Sequence, residues 1–590
     1  MNNFLVAKSG PDDAGRGAQQ GKDPQDAAAY LSDESRLHGN AEKIFFPQSE
    51  GDVIAILHAA RPENKTVTVS GGRTGITGGA VPENGWLMST EKMNHVLGLR
   101  FDAKNNAFFL RCQPGITLEA LNKMIAEKQF DYESAWTAES KSALDLFRKP
   151  GEWRFAPDPT EKSATIGGMI ACNASGARTF HYGPTRDYIS ALRLVPADGV
   201  ILDIKRGEAF ASTDGSFKLR LPDGNEREGK IPAYTMPAVK NAAGYFSKPG
   251  MDLIDLFIGS EGTLGIVTEA ELKLVRPPAQ ILGVIGFFPS EETALLFVRS
   301  ARGEKEVGRG VPACPQCYAQ RCRRAKPSEK AQLTQRVRPT CEDIDRSNLP
   351  PLSKQPLAIE YFDYRALNLL RDQKKKIGSS SEIPALPETA HTAVYIELPT
   401  TEADMEKQAE ELLGLLEDCA SSADTAWTAL SPEETEKLKK FRHALPEAIN
   451  QRIGERAASC PGLTKLGTDF AVPDKFLAEM FQLYRRTLDE AKLEYVIFGH
   501  IGNNHVHVNI LPKNMDEYKH GKEIYLQLAQ TVVRWGGTVS GEHGIGKLKR
   551  PFLALLFGED GIEEMRRVKR VFDPESRINP GNMFLCEKRL

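Results

Sequence analysis

The chain is constrained most by a strand that runs straight into a loop holding five glycines in nine residues, Gly71-Gly-Arg-Thr-Gly-Ile-Thr-Gly-Gly79. The preceding segment Thr66–Ser70 is rich in β-branched residues, which predicts a strand. Without Cβ atoms the backbone can turn tightly, so several N–H groups converge on one oxyanion, a geometry suited to a pyrophosphate. No Gly-Lys-Ser/Thr follows, so the loop is not a Walker A motif, and it lacks the later acidic residue of a dinucleotide fingerprint. Taken alone, it reads equally well as a flexible loop.

Two further segments strengthen the cofactor reading. Phe155-Ala-Pro-Asp-Pro-Thr160 leads to Thr165-Ile-Gly-Gly-Met-Ile-Ala-Cys-Asn-Ala-Ser-Gly176, and Phe257-Ile-Gly-Ser-Glu-Gly-Thr-Leu-Gly-Ile-Val-Thr-Glu269 comes later. Both join rigid Pro or Gly backbone to small hydroxyl and amide side chains. That texture suits close backbone approach to a flat heteroaromatic ring and its phosphates.

Four of the eleven histidines fall in two short segments near the C-terminus, Phe498-Gly-His-Ile-Gly-Asn-Asn-His-Val-His-Val-Asn509 and Ser540-Gly-Glu-His-Gly-Ile-Gly546. In a strand, His505, His507 and Asn509 point to one side while Val506 and Val508 point to the other. Together with His500, Glu542 and His543 they supply imidazoles and a carboxylate, a donor set that zinc or manganese accepts, with an imidazole left over to move a proton. Three ligands suffice for a catalytic metal that keeps a position open, so one histidine, His505 first, is surplus. The competing reading is a set of structural histidines beside a glycine-rich turn.

At 590 residues the length prior allows roughly three to four domains, or fewer large ones. A hydrophobic content of 41% supports a sizeable core, and a net charge of −3 offers no footprint for nucleic acid. No stretch approaches the roughly 20 apolar residues of a membrane span, and Met1–Lys22 lacks the apolar core of a secretory signal. These features predict a cytoplasmic protein, with room for peripheral docking at the inner face of the membrane. Nine cysteines in so long a chain do not make a disulfide scaffold.

Composition shifts divide the chain. Residues 1–29 read as a loose N-terminal arm. Alternating strands and helices fill the stretch up to about residue 278, with helical spacing over Asp52–Ala60. The segment 303–352 is rich in Arg and Lys and carries Cys314, Cys317, Cys322 and Cys341, whose spacing favours an exposed insertion over a metal site. Beyond it, strands over Ala358–Phe362 and Thr392–Leu398, helices over Tyr364–Ile377 and Thr401–Leu416, strands over Tyr495–Gly499 and His505–Leu511, and a helix over Gly521–Trp535 describe a second domain of antiparallel α+β type.

These motifs, in this order, resemble FAD-linked oxidases of the vanillyl-alcohol-oxidase/PCMH superfamily, in the branch holding D-lactate dehydrogenase, D-2-hydroxyglutarate dehydrogenase and the glycolate oxidase FAD subunit. The resemblance spans about Tyr30 to Phe584. It implies an α+β protein with a two-part PCMH-type FAD-binding domain over residues 30–278, and an α+β cap domain with a central antiparallel sheet over residues 279–539. A C-terminal segment, residues 540–590, would return to the flavin.

Carried over residue by residue, the resemblance implies that Ser70, Gly71, Gly72, Arg73, Thr74, Gly75, Thr77, Gly78 and Gly79 form the pyrophosphate loop. Pro157, Asp158, Thr160, Thr165, Gly167, Gly168, Asn173, Ser175 and Gly176 match the second flavin segment, Glu261, Gly262, Gly265 and Ile266 the third, and Asn582 the closing turn. The loop has no histidine to attach flavin covalently, so noncovalent FAD is expected. The histidine turn resembles Gly-His-x-Gly-Asp-Gly-Asn-x-His, which makes His500, His507 and Glu542 the ligands of a divalent metal, zinc or manganese, and His543 the catalytic base. The chain departs from that pattern at Asn503-Asn504-His505. Arg442, in Phe441-Arg-His-Ala-Leu-Pro446, resembles the arginine that holds the substrate carboxylate, against the alternative of a surface helix arginine; Lys465 is a weaker candidate assistant.

The implied activity is oxidation of a D-2-hydroxy acid, D-lactate-like, to the 2-oxo acid. Alternatives are the FAD subunit of a glycolate oxidase-type complex with an iron–sulfur partner, or an alkyl-glycerone-phosphate synthase-like flavoenzyme. Expected partners are the small hydroxy acid, an unidentified electron acceptor (quinone, cytochrome or electron-transfer flavoprotein) and a second copy of the chain in a homodimer.

Overall fold

The β-branched segment ahead of the glycine loop pairs as a parallel strand, and that pairing organises the first of two units. The computed structural model describes residues 5–7, 28–304, 349, 351–378 and 383–586. Cys314, Cys317, Cys322 and Cys341 lie outside the described residues.

The first unit draws on residues 1–176, 182–277 and 538–590. Strands β1 (Leu5–Ala7), β2 (Lys43–Phe45), β3 (Val67–Ser70) and β4 (Trp86–Ser89) form a parallel sheet in the order β1-β2-β4-β3. A parallel strand is covered on both faces, and every residue of β4 is buried. Helix Glu50–Ala60 starts on a capping box between Ser49 and Asp52 and turns Val53, Ile56, Leu57 and Ala60 inward. That stripe joins Val67, Trp86, Met88 and Ile266 in one apolar core.

The same unit holds an antiparallel sheet of β5 (Val96–Asp102), β6 (Ala107–Cys112), β7 (Ile189–Val195), β8 (Leu202–Lys205) and, after the hairpin of β9 (Ser216–Arg220) and β10 (Glu226–Lys230), β11 (Ile266–Lys273); its order is β5-β6-β11-β7-β8. The C-terminal chain returns to the edge of β3, where Val67 N donates to Arg577 O at 2.8 Å and Asn579 N donates to Val67 O at 2.9 Å. Lys569, buried on helix Arg550–Phe572, donates to Asp573 at 2.7 Å and to the carbonyls of Thr263 and Ile578 at 2.8 and 3.0 Å. A buried ammonium with three acceptors is satisfied, and here it ties the C-terminal turn to the third glycine segment.

The second unit draws on residues 177–181 and 278–537. Its seven-stranded antiparallel sheet comprises β12 (Gln280–Phe288), β13 (Ala358–Phe362), β14 (Thr392–Thr400), β15 (Trp427–Ala429), β16 (Leu466–Gly467), β17 (Tyr495–His500) and β18 (His505–Ile510), in the order β15-β12-β14-β13-β17-β18-β16. Ile285, Phe287, Phe362 and Tyr395 pack with Leu367 and Leu370 of helix Tyr364–Ile377 and with Phe441, Leu445 and Ile449 of helix Pro432–Ser459. The mixed architecture with a central antiparallel sheet in the second unit is the one expected from the sequence. Helix Met515–Arg534 begins six residues ahead of the expected Gly521, because Asn514 caps it by accepting from Asp516 N and Glu517 N. A polar first turn carries no apolar periodicity, so the pattern underestimates such helices.

No helix among the described residues is long and apolar enough to cross a membrane.

Candidate active site

In the first unit the glycine segments converge. A Cβ on Gly72 would meet Ser163 O at 2.6 Å, and one on Gly176 would meet Asp158 O at 2.0 Å, so only glycine lets the loop and the second segment approach this closely. Thr165 caps helix Ile166–Cys172 by accepting from Gly168 N. Asn173 ends it in the left-handed region at φ 48° and accepts from Arg186 N at 2.9 Å. The third segment joins through Glu261 N, which donates to Ala171 O at 2.8 Å.

The C-terminal residues close the cradle. Asn582 donates to Gly79 O at 3.0 Å and accepts from Lys547 at 2.7 Å, while Lys547 N donates to Thr77 O at 2.8 Å. Burial pushes the Lys547 ammonium down to about 8, although Glu83 and Glu261 pull the other way. The Glu261 carboxylate accepts from Ile545 N at 2.6 Å and Gly546 N at 2.8 Å, so it holds the His543 segment in place. Burial raises its pKa, and those two N–H donors oppose the rise. Thr77 Oγ1 donates to His543 O at 3.4 Å. Lys240 Nζ sits 2.7 Å from Glu542 Oε2, and His543 Nε2 lies 3.6 Å from Glu542 Oε1.

The expected cofactor residues thus divide. The loop, Thr165–Gly176, Glu261–Gly265 and Asn582 are brought together, with Gly167 packed on Pro114 and Gly265 against Leu194. Thr160 is exposed, and the Ile266 side chain lies in the apolar core. Ser70 Oγ and Ser175 Oγ are buried with no hydrogen-bond partner among the described residues. Two orphaned hydroxyls in a glycine-lined cradle fit a polar ligand such as a flavin nucleotide, since buried polar atoms otherwise find partners.

The second unit carries the imidazoles. The β17–β18 register sets His500 opposite His505 and Phe498 opposite His507, and Phe362 of β13 opposite Phe498. All three histidines therefore share one face with Glu360, two residues before Phe362. Ring centroids of His500, His505 and His507 lie 4.6–5.6 Å apart, and one nitrogen of each lies within 4.8 Å of the others. The turn between the strands ends on Asn504 at φ 52°, a conformation asparagine tolerates in place of the glycine of the resembled motif. Asn504 is locked there by donating to Val472 O at 3.1 Å and to Asp474 at 2.6 Å.

Each ring is also held from behind. His500 Nδ1 lies 2.6 Å from Glu360, His507 Nδ1 lies 3.0 Å from Thr468 O, and His505 Nε2 lies 2.8 Å from Asp469. A neutral imidazole that donates from one nitrogen presents the lone pair of the other, which is how metal-ligating histidines are oriented. Glu360, buried in β13, also receives Arg442 Nε at 3.3 Å. Arg442 is therefore no surface residue; its helix contains Pro446, which offers no N–H to the Arg442 carbonyl. Lys465 is half-buried and donates to Asn450 at 2.9 Å.

Sequence reasoning passed over Glu360 and Asp469. A lone carboxylate inside the apolar strand Ala-Ile-Glu-Tyr-Phe was the available signal for Glu360, since a buried charge needs a partner. It also passed over Glu397, buried among Arg178 at 2.6 Å and Tyr395 at 2.6 Å. Burial alone would raise the Glu397 pKa, but those two partners bring it below the usual carboxylate value.

Comparison with known proteins matches two family models. The model for the C-terminal domain of FAD linked oxidases covers residues 351–583, and that for an FAD binding domain covers residues 41–142 and 142–205. The chain is 27% identical to a D-lactate dehydrogenase of Anaerostipes hadrus over 95% of this chain and 93% of that one. It is 27% identical to the glycolate oxidase subunit GlcD of Bacillus subtilis (93% and 90%), and 26% identical to a D-2-hydroxyglutarate dehydrogenase of Stutzerimonas stutzeri (92% and 90%). A solved alkyldihydroxyacetonephosphate synthase superposes with a TM-score of 0.51 at 16% identity, over 91% of this chain and 75% of that one, a likeness of fold. With these two models matching residues 41–205 and 351–583 in order, the chain carries the FAD binding domain and the C-terminal domain of FAD linked oxidases and is an FAD-dependent oxidoreductase.

Proposed function

We propose that the protein oxidises a small D-2-hydroxy acid, D-lactate-like, to its 2-oxo acid, with FAD bound noncovalently and a divalent metal, zinc or manganese, assisting. The observation that carries this reading is the set of three clustered imidazoles, two buried and one half-buried, each with one nitrogen already engaged by Glu360, Asp469 or Thr468 O. The names of the relatives support the substrate class.

FAD supplies a two-electron acceptor for the hydride of the substrate α-carbon. A metal ion on His500, His507 and Glu542 would make the substrate hydroxyl more acidic. The chain itself does the rest. His543 takes the hydroxyl proton on its ring, as a neutral imidazole can. Arg442, steadied by Glu360, offers the substrate carboxylate a planar fork and fixes the α-carbon for transfer. An unidentified acceptor of quinone, cytochrome or electron-transfer flavoprotein type would take the electrons onward.

Anaerobic mixing of the purified protein with D-lactate, D-2-hydroxyglutarate and glycolate tests the reading. Bleaching of the flavin by one of them, slowed by a chelator, is expected. Bleaching by none of the three would remove the hydroxy-acid assignment, and a rate indifferent to chelator would remove the metal. Because the Bacillus subtilis relative is named as a subunit, a second reading is an FAD subunit of a larger complex. Co-purification of an iron–sulfur protein, with little activity from this chain alone, would favour it.

Lys547 makes FAD binding depend on pH. The pyrophosphate favours the charged ammonium, and burial lowers Lys547 to about 8 in the free protein. FAD affinity is therefore full below that value and declines as pH rises through it, with a step of about tenfold, the weight of one charge-assisted hydrogen bond. Flavin fluorescence titrations at successive pH values should show the step in the parent protein and lose it in Lys547→Met.

A further inference from the structure

We infer that His505 is a third imidazole ligand of the metal, completing a three-histidine face within the second unit, and that Asp469 is the carboxylate that orients its ring. The inference rests on the metal-assisted reading above and departs from the motif the turn resembles, which has asparagine where this chain has His505 and takes only two histidines from the turn.

Strand geometry makes the first argument. His505 lies directly across the hairpin from His500 and two residues before His507, so the register puts the three rings on one face. The His505 and His507 centroids, at 4.6 Å, are the closest pair of the three. A nitrogen from each ring falls within a 4.8 Å group, a spread that small movements bring to the ~2.0–2.1 Å bonds of zinc to imidazole.

Hydrogen bonding makes the second argument. Asp469, itself 1% exposed, accepts from His505 Nε2 at 2.8 Å, so the neutral ring carries its lone pair on Nδ1. Glu360 and Thr468 O act on Nδ1 of His500 and His507, so those rings carry theirs on Nε2. All three imidazoles thus have the carboxylate or carbonyl partner behind the ring that metal-bound histidines use. A structural His–Asp pair would account for Asp469 but not for two more imidazoles packed against the same ring. Neutral rings around a dication resolve that crowding, whereas three protonated rings would repel one another.

The donor set has a chemical consequence. Imidazole nitrogen suits zinc, while carboxylate and water suit manganese, so a third imidazole moves the preference toward zinc. Being neutral, the third imidazole takes away none of the positive charge that the Glu542 carboxylate leaves on the ion for an anionic substrate. In the first unit, the Glu542 carboxylate already shares its charge with Lys240 at 2.7 Å.

The test uses the full chain with FAD bound. Zinc and manganese affinities are measured by competition with a chelating dye for the parent, His505→Asn and Asp469→Asn, and cobalt-substituted samples are read by visible absorption. His505→Asn should weaken zinc about 100-fold and manganese by much less, and should shift the cobalt bands, while FAD content stays unchanged; because the buried Asp469 loses its partner, the chelated variant melts lower than the parent and affinities are read below its transition. Asp469→Asn should keep the cobalt bands of the parent and weaken zinc ~10–100-fold, the usual effect of removing an outer partner. Zinc affinity within threefold of the parent and unchanged cobalt bands in His505→Asn would overturn the ligand role and leave the proposed function standing. X-ray absorption of the zinc-loaded parent counts the ligands without any variant: three imidazoles support the inference and two overturn it. A parent protein that takes up no ion would instead bring down the metal-assisted reading itself.

Discussion

His543→Asn should slow anaerobic reduction of the flavin by its hydroxy acid ~10²–10⁴-fold, the range for loss of a positioned general base, while the protein stays yellow. The structural reason for retained cofactor is that the segment is held by its backbone. Ile545 N and Gly546 N donate to Glu261, Thr77 Oγ1 donates to His543 O, and a Cβ on Gly546 would collide with Thr77 O at 2.2 Å. None of these contacts uses the imidazole. Stopped-flow absorbance at the flavin band gives the rate, and FAD content after gel filtration gives the occupancy. A variant that bleaches as fast as the parent would show that another group takes the proton. A variant that loses FAD would show that the ring serves the cofactor site instead.

Glu360→Leu should have the largest effect on the second unit. The carboxylate, 3% exposed, holds both His500 Nδ1 at 2.6 Å and Arg442 Nε at 3.3 Å. Replacing it with hydrocarbon leaves a guanidinium facing an apolar side chain, and breaking one side of a buried pair costs ~3–5 kcal/mol. The same change releases the His500 ring, which should weaken metal binding ~10–100-fold. Glu360→Gln separates the two effects. It keeps the volume and can still accept from His500, so it should recover most of the stability while the pull of a full carboxylate on the ring is lost. Urea unfolding and metal titration measure the two terms. Equal stability of Glu360→Leu and parent would mean that the Arg442 pairing contributes nothing, contrary to its burial.

Much of the fold could be read from local pattern. The β-branched run before Gly71, the helical spacing over Asp52–Ala60 and the alternation of His505, His507 and Asn509 each depend on neighbours a few residues apart, and each lies in an element of the expected type, the helix starting two residues earlier at Glu50. The glycine segments announced themselves because close backbone approach demands glycine at Gly72 and Gly176 whatever lies opposite. What escaped the pattern were partners from distant strands. Glu360 lies 140 positions from His500, and Asp469 lies 36 from His505, so nothing in either segment points to the other.

The same distinction applies to the two histidine segments. The amino-acid sequence by itself determined which donor groups exist, that two of the imidazoles share a strand face, and that the turn departs at Asn503-Asn504-His505 from the motif it resembles. Tertiary structure alone decided which nitrogen each ring presents, because that depends on where Glu360, Asp469 and Thr468 O sit in the folded sheet. It also decided that His505 stands with His500 and His507 and not apart from them. Side-chain period and residue type are local properties of a chain, whereas a tautomer is selected by a hydrogen-bond partner that only the register of the sheet brings within reach.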